Sequence, residues 1–166
     1  MKHAYHLQVN GRDCAVEAEP RKILADVLRE DCGLTGTHIG CEHGVCGACT
    51  ILLDGKPVRS CLVFGIQAQG ADIRTVEGLT DGDELHPLQQ AFMEHHALQC
   101  GFCTPGFLML GAALWESGAK PTEAELQALL SSNLCRCTGY GNIQKAIASA
   151  LDARDQAPKR SGEGAP

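Results

Sequence analysis

Polar and apolar positions alternate at the start of the chain. Tyr5, Leu7 and Val9 share one face, Asn10-Gly11 follows, and Cys14, Val16 and Ala18 resume the alternation. A period of two on both sides of Asn-Gly predicts a β-hairpin closed by a type I′ turn. The period then lengthens. Ile23, Leu24, Val27 and Leu28 recur at helical spacing, and Gly33 can close that helix. Residues 33–49 hold five glycines and three cysteines and read as a loop. Cys49 to Leu53, the turn Asp54-Gly55 and Val58 to Cys61 predict a second hairpin, and Ile73 to Val76 a last strand. A small mixed sheet cradling one helix is an α+β arrangement.

Beyond residue 84 the helical period dominates. Leu85, Leu88 and Phe92 predict a helix with Pro87 in its first turn. Thr104-Pro105 suits N-cap and N1 of a helix running to Gly118. Thr122 and Glu125 form a capping box ahead of Leu126, Leu129 and Leu130. Ile143, Ala146, Ile147, Ala150 and Leu151 mark a fourth amphipathic helix. Four helices with short connections imply a compact bundle. The polar stretch Glu77 to Glu84 separates the halves, giving domains at 1–78 and 79–155, with a disordered tail over 156–166.

Length allows two small domains. Only seven residues are aromatic, so both cores must be largely aliphatic. A net charge of −6 argues against a nucleic-acid partner, which needs clustered Lys and Arg. The longest near-apolar run, Pro105 to Trp115, is too short to cross a bilayer, so no direct membrane insertion is expected. The first residues show neither an apolar signal core nor a twin arginine, which leads us to expect a reducing, cytoplasmic compartment. There, cysteines at motif spacing read as metal ligands.

Eight of the ten cysteines fall into two such sets. Cys41, Cys46 and Cys49, followed by Cys61, have the plant-type [2Fe–2S] spacing C-x4-C-x2-C…C. Gly40, Gly44, Gly47 and the small Ala48 interleave with these thiols, as a loop must that turns three of them inward and aims backbone N–H groups at cluster sulfurs. The second set is Cys100, Cys103, Cys135 and Cys137. Cys103 precedes one helix start and Cys137 another, so two positive helix ends would face an anionic cluster. On spacing alone this second set suits a four-cysteine zinc site as well as an iron–sulfur cluster. A Rieske centre needs two histidines, and Cys41-Glu42-His43 has no C-x2-H to complete it, so none of the seven histidines is assigned to a metal. His38 and His43 read as loop-surface residues, Cys14 as a small hydrophobe on a strand, and Cys32 as an inert helix end. No P-loop, Rossmann fingerprint or nucleophile beside a base is present, which points to a chain that moves electrons without a substrate site of its own. Three functions remain open at this level: a subunit of a redox enzyme, a free-standing two-cluster ferredoxin, or a non-redox structural module with zinc.

The segments GCEHGVCGACT, LQCGFCTPG and NLCRCTGYGNI, with Ser60-Cys61, resemble the small iron–sulfur subunits of the molybdenum hydroxylase (xanthine oxidase) family over residues 1 to about 155. The resemblance implies a β-grasp, plant ferredoxin-like domain holding one [2Fe–2S] cluster through Cys41, Cys46, Cys49 and Cys61. It implies a four-helix domain holding a second through Cys100, Cys103, Cys135 and Cys137. It also implies that Gln99 and Cys137 touch the molybdopterin of a large partner subunit. Electrons would then pass to FAD in a medium subunit or to another acceptor.

Overall fold

The computed structural model describes residues 1–80 and 82–156. Strands β1 (His3–Val9) and β2 (Arg12–Ala18) form the first hairpin, with Val9 opposite Arg12 across a two-residue turn. Asn10 and Gly11 both have positive φ (52° and 72°), the type I′ geometry expected of Asn-Gly. β3 (Thr50–Leu53) and β4 (Lys56–Arg59) pair around Asp54-Gly55 in the same way. β5 (Asp72–Arg74) enters between the hairpins, parallel to β1 and antiparallel to β3. It is shorter than the expected strand, because Val76–Gly78 curls into a 3-10 turn. The order is β2-β1-β5-β3-β4, a five-stranded mixed sheet.

Helix α1 (Leu24–Asp26) widens into a π-helical turn over Val27–Asp31, where Cys32 N–H donates to the Val27 carbonyl at 3.0 Å. Leu24, Val27 and Leu28 pack on Tyr5, Leu7, Val16, Ile51 and Ile73 in one core. The packing of α1 across the sheet overturns two expectations, Cys14 as a small core hydrophobe and Cys32 as an inert helix end. Cys14 and Cys32 are joined as a disulfide with Cα atoms 6.0 Å apart. Cys14 does point to the helix side of β2. The end of α1 lands over that strand, however, so its neighbour is the sulfur of Cys32 and not an aliphatic side chain.

The helices α2 (Pro87–Glu94), α3 (Thr104–Ser117), α4 (Glu123–Leu130) and α5 (Gly141–Gln156) surround a second core. Thr122 caps α4 reciprocally with Glu125, as its sequence predicts. The α5 stripe Ile143, Ala146, Ile147, Ala150 and Leu151 is buried throughout. Each Ile or Leu so buried contributes about 1.5–3 kcal/mol of hydrophobic stabilisation. The N-cap of α3 is Cys103, one residue earlier than expected, which leaves Thr104 at N1 and Pro105 at N2. Arg154 of α5 donates to the carbonyls of Leu114, Trp115 and Ala119, each at 3.0 Å, satisfying the open end of α3. Gln156, expected in the tail, closes α5, and the remainder of that tail lies outside the described residues.

The two cores meet through β3. Ile51 joins the sheet–helix core and Leu52 the helical core, both fully buried. Successive strand residues point to opposite faces. A run of apolar residues with no alternation therefore marks a strand covered on both sides, here with α3 on the outer face. The fold is α+β, with the sheet and α1 making the β-grasp.

Candidate metal centres

The loop between α1 and β3 places the first thiols. Arg29 anchors it by donating to the carbonyls of Thr35 and Thr37 at 2.7 and 2.8 Å. A Cβ on Gly40 would stand 3.1 Å from Cys46 Sγ, so the backbone approaches that sulfur with no side chain between them. Gly47 (φ 72°) packs on Asn133, leaving no room for a side chain there. Cys46 N–H donates to Cys41 Sγ at 3.4 Å. That bond, with others from the backbone of His43 and Val45 outweighing a burial effect, lowers the Cys41 thiol to about 6. Cys61 lies beyond β4, in the 3-10 turn Ser60–Leu62, and not within the hairpin as expected. Ser60 fixes it beside Cys49 by donating its N–H (3.2 Å) and its hydroxyl (2.8 Å) to the Cys49 carbonyl. Burial, and then the hydrogen-bonded Cys49 thiol, push Cys61 up to about 11.

The second set comes from two connections. Cys100 and Cys103 lie between α2 and α3; Cys135 and Cys137 lie between α4 and α5. All four thiols line one open cavity of about 530 Å³, with Phe102, Leu134, Arg136 and Tyr140 completing its wall. Cys137 and Cys100 are 3.6 Å apart, sulfur to sulfur. Burial and a hydrogen bond with Cys135 push Cys103 up to about 12. Cys135 is also desolvated, yet its thiol is held below the usual range because the Thr138 hydroxyl and the N–H groups of Thr138 and Cys137 bond to its sulfur. Gln99 is exposed beside Cys100. A larger cavity of about 680 Å³ between α4 and α5 is lined by Lys120, Arg154 and Asp155 and contains no cysteine.

Within each set the thiols stand in twos: Cys41 with Cys46 and Cys49 with Cys61, then Cys100 with Cys137 and Cys103 with Cys135. A mononuclear zinc site needs all its ligands about 2.3 Å from one point. Two irons, each taking two thiolates, suit this paired arrangement, and soft sulfur donors suit iron–sulfur clusters. The donor sets therefore fit binuclear clusters better than zinc.

The two sets are also tied together. Leu134 N–H, one residue before Cys135, donates to the Cys46 carbonyl at 2.9 Å. Buried Asn133 donates to the Gly47 carbonyl at 3.3 Å, and Arg59 donates to Ser132 at 2.7 Å. His38 is more than a surface residue. Its ring stacks on Phe102 (4.9 Å between centroids), and its Nδ1 donates to the Phe102 carbonyl at 2.8 Å. Asn133, Phe102, Thr138 and Tyr140 carry no signal in sequence beyond lying beside the cysteines.

Comparison with known proteins agrees with this geometry. Residues 7–74 match the model of a 2Fe-2S iron-sulfur cluster binding domain, and residues 75–148 that of a [2Fe-2S] binding domain. The nicotine 6-hydroxylase small subunit of Paenarthrobacter nicotinovorans is 56% identical over 156 residues, covering 94% of this chain and 92% of its own. The nicotinate dehydrogenase small FeS subunit of Eubacterium barkeri is 42% identical over 151 residues, covering 91% and 96%. The crystal structure of quinoline 2-oxidoreductase from Pseudomonas putida 86 contains a chain that superposes with a TM-score of 0.87 at 50% identity, covering 94% of this chain and 98% of that one. The cysteine sets, the fold and these relatives together show that the chain belongs to the small [2Fe–2S] iron–sulfur subunits of the molybdenum hydroxylase family.

Proposed function

We propose that this chain relays electrons between a molybdopterin-containing large subunit and an acceptor, using two [2Fe–2S] centres it holds itself. The supporting observation is the pairing of two cysteine quartets whose loops share the Leu134–Cys46 hydrogen bond. A relay needs such closeness, because electron transfer falls off steeply with distance. In this reading Cys41, Cys46, Cys49 and Cys61 ligate the first centre within a domain of residues 1–78. Cys100, Cys103, Cys135 and Cys137 ligate the second within a four-helix domain of residues 79–155. When bound, a [2Fe–2S] cluster supplies uptake and release of one electron at a time. The chain's own residues hold the thiolates in position, direct N–H and O–H donors at them, and pack Ala25, Ile23 and Ile39 around Cys49 and Cys61 to keep water out.

The large subunit docks on the second centre, with Gln99 and Cys137 facing its pterin. Leu98, Phe102 and Leu134 are 41%, 47% and 52% exposed around this site, which supports an apolar partner surface there. Val45, Leu62 and Phe64 are exposed near the first centre and offer a second face, for a medium FAD-binding subunit or another acceptor. The assembly works in the cytoplasm, and its substrate binds to the partner.

Iron, acid-labile sulfide and zinc analysis of the purified chain tests this reading. We expect about four irons and four sulfides per chain, the content of two such clusters. Zinc replacing two of the irons would overturn the assignment of the second site.

A further inference from the structure

We propose that Thr138 sets the reduction potential of the second centre by donating its hydroxyl hydrogen to the Cys135 thiolate. This rests on the two-cluster reading above. Thr138 Oγ1 lies 3.0 Å from Cys135 Sγ, and Thr138 N–H approaches the same sulfur at 3.4 Å. The hydroxyl's direction is set from the other side. Tyr140 N–H donates to Thr138 Oγ1 at 3.2 Å, occupying an oxygen lone pair and leaving the hydroxyl hydrogen for the sulfur. The turn is closed on itself, because Cys135 N–H donates to the Tyr140 hydroxyl at 3.0 Å. It is anchored as well, because the Tyr140 ring meets fully buried Phe107 edge to face, 6.2 Å between centroids.

The energetic argument concerns charge. One-electron reduction makes the cluster and its thiolates more negative. A hydrogen bond to a ligand sulfur then strengthens, and more so where burial lowers the local dielectric. The bond therefore favours the reduced state and raises the potential. Among the described residues, Thr138 is the only side-chain hydroxyl hydrogen-bonded to the sulfur of any of the eight free cysteines, and the first set draws its sulfur-directed N–H donors from the backbone. The effect is accordingly confined to the second centre.

The test is a redox titration followed by electron paramagnetic resonance, on the complex as purified with its partner. Thr138→Val should shift the second centre's midpoint to lower potential by roughly tenfold in its reduction equilibrium, about 59 mV for one electron. The first centre's midpoint should stay in place, and Thr138→Ser should return the second toward wild type. A Thr138→Val complex with full iron content and an unmoved midpoint would overturn the proposal. Should that variant lose the centre, the wild type decides. After brief transfer to D2O, a fast-exchanging deuteron should couple to the reduced second centre, and its absence would refute the hydroxyl contact. A wild type with no second signal at all would instead refute the two-cluster reading.

Discussion

Gln99 stands exposed next to Cys100, the thiol paired with Cys137 at the rim of the second site. Its amide can bond a neutral heterocycle without ligating metal. Gln99→Ala should therefore keep full iron content while slowing reduction of the second centre by the molybdenum partner, roughly three- to tenfold, the size of one lost hydrogen bond. Rapid mixing with substrate measures this, and an unchanged rate would remove Gln99 from the contact. At this scale the eight ligand candidates are legible in the chain, because thiol spacing is itself chemistry. Thr138 is not. Read along the chain it is one more residue in a Gly-containing turn, and its role emerges only when Tyr140 N–H and the Cys135 sulfur are placed around it.

The Cys14–Cys32 disulfide ties β2 to the end of α1, 18 residues later in sequence. In oxidised, purified protein, closing a loop of that length should stabilise the fold by about 3 kcal/mol, chiefly by restricting the unfolded chain, whereas a reducing cytoplasm would keep the two thiols unbonded. Cys14→Ala should lower the thermal midpoint accordingly and leave iron content unchanged, since neither cysteine belongs to a quartet. Dithiothreitol should bring the wild type down to the variant's midpoint. Identical midpoints for oxidised wild type and variant would show that the crosslink does not form. Local pattern announced the hairpins, the α4 capping box and the α5 stripe, because each depends on neighbours within about eight residues. The crosslink, the π-helical turn and the Arg154 cap on α3 depend on how whole elements cross, which periodicity does not encode. For β3 the strand is readable from its Asp54-Gly55 turn, but its cover is not: the run Thr50–Leu53 shows no alternation, because α1 lies on one face and α3 on the other.

Across the molecule the two thiol quartets form one device. Segment 132–134 holds the first domain at two places: Leu134 and Asn133 donate to the Cys46 and Gly47 carbonyls of the first loop, and Ser132 accepts from Arg59 at the end of β4, so a shift of one half is felt at the other's thiols. Each site has its own exposed apolar rim, Val45 and Leu62 at one and Phe102 and Leu134 at the other. In the proposed reading one rim is the entry face of the relay and the other its exit face. The direct test is Cys46→Ser in the complex purified with its partners, reduced by a substrate that turns over the wild type. Both paramagnetic signals should develop in the wild type. In the variant the second centre's signal should still develop, the first should be missing, and transfer to the acceptor should collapse. A variant that shows both signals, or that reduces the acceptor at the wild-type rate, would contradict the proposed route.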